Sequence, residues 1–493
     1  MKRGWAAGVL AALVALALAA TVVWAVRDDG SARDRAAGVT TTVPSTTTAT
    51  EAPPVGEAGA DGVGDPYFPQ LGNGGYDVEH YHLELTWLAD EGALEGRTTV
   101  TATAEVDLAR FNLDLVGLDV EAVAVDGAPA AFDHVGRELT ITPAEVLPAG
   151  RSFVATVAYG GRPTPVSEGT GLFDVGWQTD GREAYVVSEP SGAATFFPVN
   201  DHPTDKATYT FTVTAPADQV VVANGLLAGE PEDGDGVRTW TYEARDLMAS
   251  YLVQVAIGDF ELVDAGRLGD TVIRHAFHRS LADQARVATE RTVEMIDVLD
   301  DVFGPYPFEA YGVVAVDEPL GFALETQTLT IIGRDVASRG RGADDILLHE
   351  LAHQWVGNLV SPASWRDIWL NEGFATFAEW IWSERTGGPT TAERARGLVG
   401  SGADLAIPPG DPGPDELFVT SVYWRGGMAL QALREAVGDE AFFTILRRWV
   451  EDHRGATAST EDLVALAESV SGQDLEDLFQ RWVYEPVRPA FTG

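Results

Sequence analysis

From Gly72 onward apolar and polar residues alternate in short runs: Tyr81-His82-Leu83-Glu84-Leu85-Thr86-Trp87, Thr99 to Ala104, Leu139-Thr140-Ile141-Thr142 and Tyr209-Thr210-Phe211-Thr212-Val213. Successive side chains of a strand point to opposite faces, so a period of two predicts half-buried strands. Gly, Pro and Asp between the runs predict turns. Together they predict a β-sandwich or saddle that ends near Gly258-Asp259-Phe260.

The period then changes. A helical pattern runs from Leu281 to Val302, a strand-like stretch covers Tyr311 to Val316, and helical patterns recur from Asp344 onward. A second helix is expected from Trp369 to Gly387-Gly388, with further amphipathic helices at Asp439 to His453, after Thr460, and at Leu475 to Tyr484. The predicted fold class is α+β, an all-β domain over residues 65–261 followed by a mostly helical domain over 262–493. A chain of 493 residues should hold two cores.

Ahead of these lies a charge-free stretch from Gly4 to Val26, long enough for a membrane helix, which needs about 20 apolar residues. Lys2 and Arg3 before it stay on the cytoplasmic side, so the rest of the chain is expected to be extracytoplasmic. An uncleaved anchor over residues 1–26 is favoured, with a signal peptide cut near Ala17-Leu18-Ala19 as the alternative. Residues 27–64, with Thr40-Thr41-Thr42 and Ala52-Pro53-Pro54, have little to bury and predict a flexible stalk.

Composition narrows the chemistry. The formal net charge of -42, from 33 basic and 75 acidic residues, lacks the basic footprint of a nucleic-acid binder. There is no cysteine, which excludes disulfides, thiolate metal ligands and cysteine nucleophiles.

The sharpest signal is His349-Glu350-Leu351-Ala352-His353. Residues four apart on a helix share a face, so both imidazoles can reach one metal ion. Asp344 and Asp345 suit the first turn of that helix, and Gly357-Asn358 suits its end. Hydrolytic zinc takes three protein ligands and keeps a position open, and Glu372, separated from His353 by eighteen residues and on the next helix, is the third candidate. Glu379 follows seven residues later on the same helical face, placed to hold a ligand imidazole.

These residues, with Asn371-Glu372-Gly373, resemble the signature of the aminopeptidase N and leukotriene-A hydrolase family of zinc metallopeptidases, and the likeness extends from about Gly72 to the C-terminus. The resemblance implies an N-terminal β domain, a thermolysin-like catalytic domain and one Zn2+ per chain, held by His349, His353 and Glu372. It implies Glu350 as general base. It also implies Tyr423, in Tyr423-Trp424-Arg425-Gly426-Gly427, as the phenol that donates to the oxyanion.

Gly321-Phe322-Ala323-Leu324-Glu325-Thr326 resembles the family's exopeptidase motif G-x-M-E-N, with departures: Phe322 stands at the motif's glycine, Leu324 at its methionine and Thr326 at its asparagine. The resemblance implies that Glu325 and Glu189 receive the substrate's free amine and that Gly321 and Ala323 contact its backbone. An edge strand ending in a carboxylate fits that role, because it pairs with an extended peptide and fixes where the peptide begins. The expected substrates are peptides with free N-termini. Against full-length relatives the chain resembles a short form lacking their C-terminal helical domain, which predicts a more open site. An endopeptidase sharing the zinc triad, an epoxide hydrolase side activity and a non-catalytic binding module remain as alternatives.

Overall fold

A computed structural model describes residues 56–167, 173–399, 403–486 and 491. The apolar leader and most of the stalk lie outside these residues. Among the described residues no helix is long and apolar enough to cross a membrane. Residues 53–493 form one compact unit.

The first half is built from strands, as the period-two pattern demands. A nine-stranded sheet has at its centre Tyr76–Leu88 and Ala93–Ala104, antiparallel to each other, with Ala207–Pro216 parallel to the first and Ser152–Gly161 antiparallel to the second. In Ala207–Pro216 buried and half-buried residues alternate without a break. A four-stranded sheet of Gly176–Thr179, Ala184–Val187, Val255–Gly258 and Val220–Ala223 packs against it, with Trp87 meeting Trp177 at 5.5 Å between ring centroids. The last of its strands in sequence ends at Gly258, and Phe260–Leu268 opens a different, six-stranded sheet.

That six-stranded sheet ends on the short strand Ala323–Leu324, which among the described residues pairs with Thr330–Ile332 and has no strand on its other edge. Helices complete the second half: Asp344–Ala352 (the metal helix), Trp369–Arg385 (the return helix), Thr420–Val437 (the tyrosine helix), Asp439–Asp452 and Thr460–Ser471. Ser459 caps the last of these in a reciprocal capping box with Asp462.

Two expectations change. The pattern from Leu281 to Val302 is two helices, Ala282–Thr289 and Thr292–Phe303, because Arg291 leaves helical geometry and bonds both Glu294 and Asp344. The expected pair of separate cores is instead one large apolar cluster that runs through both halves, from Leu71 to Val483. A smaller cluster joins the four-stranded sheet to the six-stranded one, through Val187, Val222, Phe260, Val314, Leu324 and Ile331.

Polar clamps tie the halves together as well. The Asp65 carboxylate accepts from the backbone N–H groups of Tyr67, Phe68 and Trp365 and from the Ser364 hydroxyl, and faces His202 at 3.3 Å. Burial opposes ionisation of Asp65, but these partners outweigh it and hold the carboxyl well below the usual range.

Candidate active site

The metal helix, the return helix, the tyrosine helix, the edge strand Ala323–Leu324 and the loop after Ala184–Val187 converge on one cavity. It is lined by Glu189, Glu325, His349, Glu350, His353, Glu372, Glu379 and Tyr423, with an apolar wall of Phe173, Phe322, Ala323, Leu324, Ile346 and Phe418. Of the residues singled out from sequence, Gly321 is not part of the lining. It sits in a turn at φ +80° just before the edge strand.

Backbone economy brings the helices close. Gly373, next to Glu372, and Gly426, on the tyrosine helix, pack so tightly that a Cβ on either would lie within 3.0 Å of the other's backbone. Arg425 is fully buried and donates to the carbonyls of Leu405, Ala406, Arg481, Trp482 and Glu485. It pins the C-terminal turn onto the tyrosine helix. Tyr423 is thereby set against His349, its ring 5.8 Å away and nearly parallel.

The two imidazoles are oriented by their outer nitrogens. His353 Nδ1 lies 3.1 Å from the Val356 carbonyl oxygen, which can only accept, so Nδ1 carries the proton. His349 Nδ1 lies 2.7 Å from the Glu379 carboxylate, which fixes the same tautomer. Both Nε2 lone pairs then face Glu372, at 3.1 Å from His349 and 3.6 Å from His353. Two donors about 2.0–2.1 Å from one ion at a tetrahedral angle are about 3.3 Å apart, so the spacing fits zinc. Two nearby sets also cluster, Glu189–Glu325–Glu372 and Glu325–Glu350–His353. The first offers only carboxylates and the second a single imidazole, whereas the two-nitrogen, one-oxygen set matches zinc's preference.

Charge inside the cavity follows from burial. Burial opposes ionisation of Glu372, but the imidazoles of His353 and His349 outweigh it and hold the carboxyl at about 2. Burial pushes Glu350 up to about 8 against the pull of both imidazoles. A divalent cation beside it adds positive charge and favours the carboxylate. Glu189 and Glu325 are raised by burial above the usual carboxylate range, and for Glu189 the neighbouring Glu325 adds to the effect.

Glu189 and Glu325 are only 3% and 2% exposed, yet each has a carboxylate oxygen that meets no donor among the described residues. Buried polar atoms are nearly always bonded, so an unpartnered acid pair marks a place for a cation. The backbone of Glu325 is by contrast fixed on the turn that follows the metal helix. Its carbonyl accepts from Gln354 Nε2 at 3.0 Å and from Asn358 Nδ2 at 2.7 Å. Lys206, buried in the first half, donates to the Asn358 and Leu359 carbonyls, each at 2.9 Å, and so braces that turn. Thr326, at the motif's asparagine position, is wholly buried and donates to the Leu329 carbonyl, shaping the turn and facing away from the cavity.

Sequence reasoning missed Gln354, Asn358, Lys206, Phe173, Ile346 and Phe418. Gln354 and Asn358 stand within the quoted helix and its stop signal, but their partner is far along the chain. Phe173 follows no local pattern.

The chain matches the "Peptidase family M1 domain" over residues 287–482 and the "Peptidase M1 N-terminal domain" over 77–252. An M1 zinc metallopeptidase from Deinococcus radiodurans is similar in structure, with a TM-score of 0.81 and 35% identity, covering 87% of this chain and 98% of its own. A mutant M1 zinc metallopeptidase from the same organism, bound to a Tyr-Ser-Ala substrate, has a TM-score of 0.80, 35% identity and coverage of 87% and 99%. Aminopeptidase N of Streptomyces lividans is 28% identical over 440 residues, 83% of this chain and 50% of that protein. Aminopeptidase M1 of Arabidopsis thaliana is 28% identical over 335 residues, 62% of this chain and 37% of that protein. The chain thus spans half the length or less of these curated relatives. On two matched family models that cover most of the chain, and on a structural relative that it covers almost completely, the protein belongs to the M1 family of zinc metallopeptidases.

Proposed function

We propose that this protein is an aminopeptidase that removes single residues from the free N-termini of peptides. The observation that carries this reading is the buried, unpartnered pair Glu189 and Glu325 beside the three-donor cage, with Glu325 fastened to the turn after the metal helix. An ammonium group held by these acids leaves room for one residue before the metal position, so only the first peptide bond reaches it.

His349, His353 and Glu372 would hold the metal. Zinc supplies Lewis acidity when bound, polarising a carbonyl oxygen and lowering the pKa of water to about 7. Glu350, outside the donor set, accepts a proton from the attacking water and delivers it to the departing amine. Tyr423 donates its phenol hydrogen to the oxyanion. Burial, reinforced by the carboxylates of Glu372 and Glu189, raises that phenol well above its ordinary pKa and keeps it a donor. Glu379 fixes the His349 tautomer. The products are a free amino acid and a peptide one residue shorter.

The setting is extracytoplasmic on this reading, following Lys2-Arg3 and the apolar stretch behind them. A panel of aminoacyl fluorogenic substrates, assayed with and without a chelator, tests the activity. Chelator-sensitive release from free-amino substrates is expected. Equal cleavage of N-acetylated peptides would indicate an endopeptidase, and no hydrolysis at all would leave a binding module.

A further inference from the structure

The loop that carries Glu325 is strained at one residue, and the bonds that hold the strain come from both halves of the molecule. Glu325 to Leu329 connect the edge strand Ala323–Leu324 to its partner Thr330–Ile332, with Leu324 paired to Ile331. In this loop Thr328 has φ +64° and is 3% exposed. Left-handed backbone crowds a Cβ, and a branched one most, so the conformation is unfavourable for threonine unless its surroundings impose it. Among the described residues Asp126 is the other that is not glycine and has positive φ. It differs in kind, being an exposed aspartate in a turn, where a short polar side chain tolerates such backbone.

Around Thr328 the surroundings do impose it. The Gly225 N–H donates to Thr328 Oγ1 at 2.8 Å, and the Thr328 N–H donates to Gln354 Oε1 at 2.8 Å. Gln354 follows His353 and is wholly buried, and its Nε2 donates to the Glu325 carbonyl at 3.0 Å. One amide thus fastens both ends of the segment from Glu325 to Thr328 to the end of the metal helix. From the other side Asn224, wholly buried just after the strand Val220–Ala223, donates from Nδ2 to the Gln327 carbonyl at 2.6 Å and to the Leu252 carbonyl at 3.0 Å. The Gln327 N–H donates to that same Leu252 carbonyl at 3.2 Å. A glycine at this position would close the hairpin without strain, so strain retained and held by this many bonds marks a conformation that the neighbouring site uses.

What the loop places is Glu325, its first residue. If Thr328 relaxed to negative φ, its bonds to Gly225 and Gln354 would part and the fastening through Gln354 would open. The Glu325 carbonyl would lose one of its two donors, and the carboxylate would shift relative to His353. Resting on the aminopeptidase reading, we propose that Thr328 is a positioning residue for the amine site, whose tethered left-handed turn sets the depth of the Glu325 carboxylate and with it the preference for a free N-terminus.

The test compares three variants of the zinc-loaded enzyme on Leu-Ala-Ala and on its N-acetylated form, with zinc content and melting temperature read on the same samples. Thr328→Val keeps the shape, removes the oxygen that Gly225 binds and tolerates left-handed backbone no better. KM for Leu-Ala-Ala should rise about tenfold with kcat within about twofold, and the preference for the free amine should fall by the same factor at one zinc per chain. Thr328→Gly loses the same oxygen but adopts the backbone freely, and should lie between Thr328→Val and wild type. Thr328→Asn is suited to left-handed backbone and brings an amide oxygen, and should keep the preference within about threefold of wild type. A merely structural role would move the melting temperature and leave the ratio of the two substrates untouched. An unchanged ratio in Thr328→Val and Thr328→Gly overturns the proposal, as does a Thr328→Asn no better than Thr328→Val, or a loss of zinc that accounts for the loss of rate. Should Thr328→Val not fold, Thr328→Gly is judged by the same ratio. Equal cleavage of the two peptides by the wild type overturns the aminopeptidase reading itself, whereas a wild-type preference that survives in both Thr328→Val and Thr328→Gly overturns only the role of Thr328.

Discussion

The metal cage and the amine floor lie side by side in one cavity and are built on opposite principles. In the cage every imidazole has an outer partner, Glu379 for His349 and Val356 for His353, so the inner nitrogens are aimed before any ion arrives. On the floor Glu189 and Glu325 each leave one carboxylate oxygen without a donor among the described residues, while the backbone of Glu325 is fastened. The cage is organised by satisfied bonds and the floor by a missing one. The first gives a fixed donor geometry, and on the proposed reading the second gives discrimination, because a ligand that brings positive charge favours the ionised form that burial opposes in both acids.

That contrast can be broken from either side. Glu350→Gln should lower kcat by about 10³-fold while zinc content, read by atomic absorption, stays at one per chain. Retained turnover would remove Glu350 from the proton transfer. Tyr423→Phe should cost about 10²-fold in kcat with little change in KM, measured on the same peptides. Glu379→Gln loosens only the cage: zinc affinity should fall about 10- to 100-fold in a competition titration, with activity recovered by excess zinc. Asn358→Ala loosens only the floor, and should raise KM for free-amino peptides several-fold with zinc affinity near wild type.

The smallest effect concerns the scaffold shared by both regions. The Asp65 carboxyl is depressed in the folded state, so the stability it contributes is fully present above the ordinary carboxylate range and is lost progressively as pH falls from that range toward the depressed folded-state value. Asp65→Asn should therefore lower the melting temperature at pH 7, and the difference from wild type should shrink below about pH 4. A constant difference across that range would mean that the charge of Asp65 is not what matters.

The two regions also differ in how much the sequence discloses. His349, Glu350 and His353 are legible because four-residue spacing is a local property of a helix, and Glu379 is legible for the same reason relative to Glu372. Glu325 is legible through the likeness of its segment to the exopeptidase motif. The bonds that hold it are invisible, since Lys206 and Asn358 meet only after the two halves pack. Glu189 occupies an irregular loop and is legible through family resemblance alone. The division into strands and helices follows periodicity. The break at Arg291 does not, because apolar spacing continues across it and the cause is an ion pair with Asp344. The single large core escapes a reading by composition for a similar reason: the two halves are continuous only through side chains far apart in the chain.

The central claim is that a fixed acid floor measures one residue from the metal. It is tested by kcat/KM for a free-amino peptide relative to its N-acetylated form, in wild type and Glu325→Ala, with zinc content determined on the same samples. A large preference for the free amine in wild type, a loss of about 10²-fold on that substrate alone in the variant, and one zinc per chain in both are expected. Equal losses on both substrates, with zinc still bound, would contradict it.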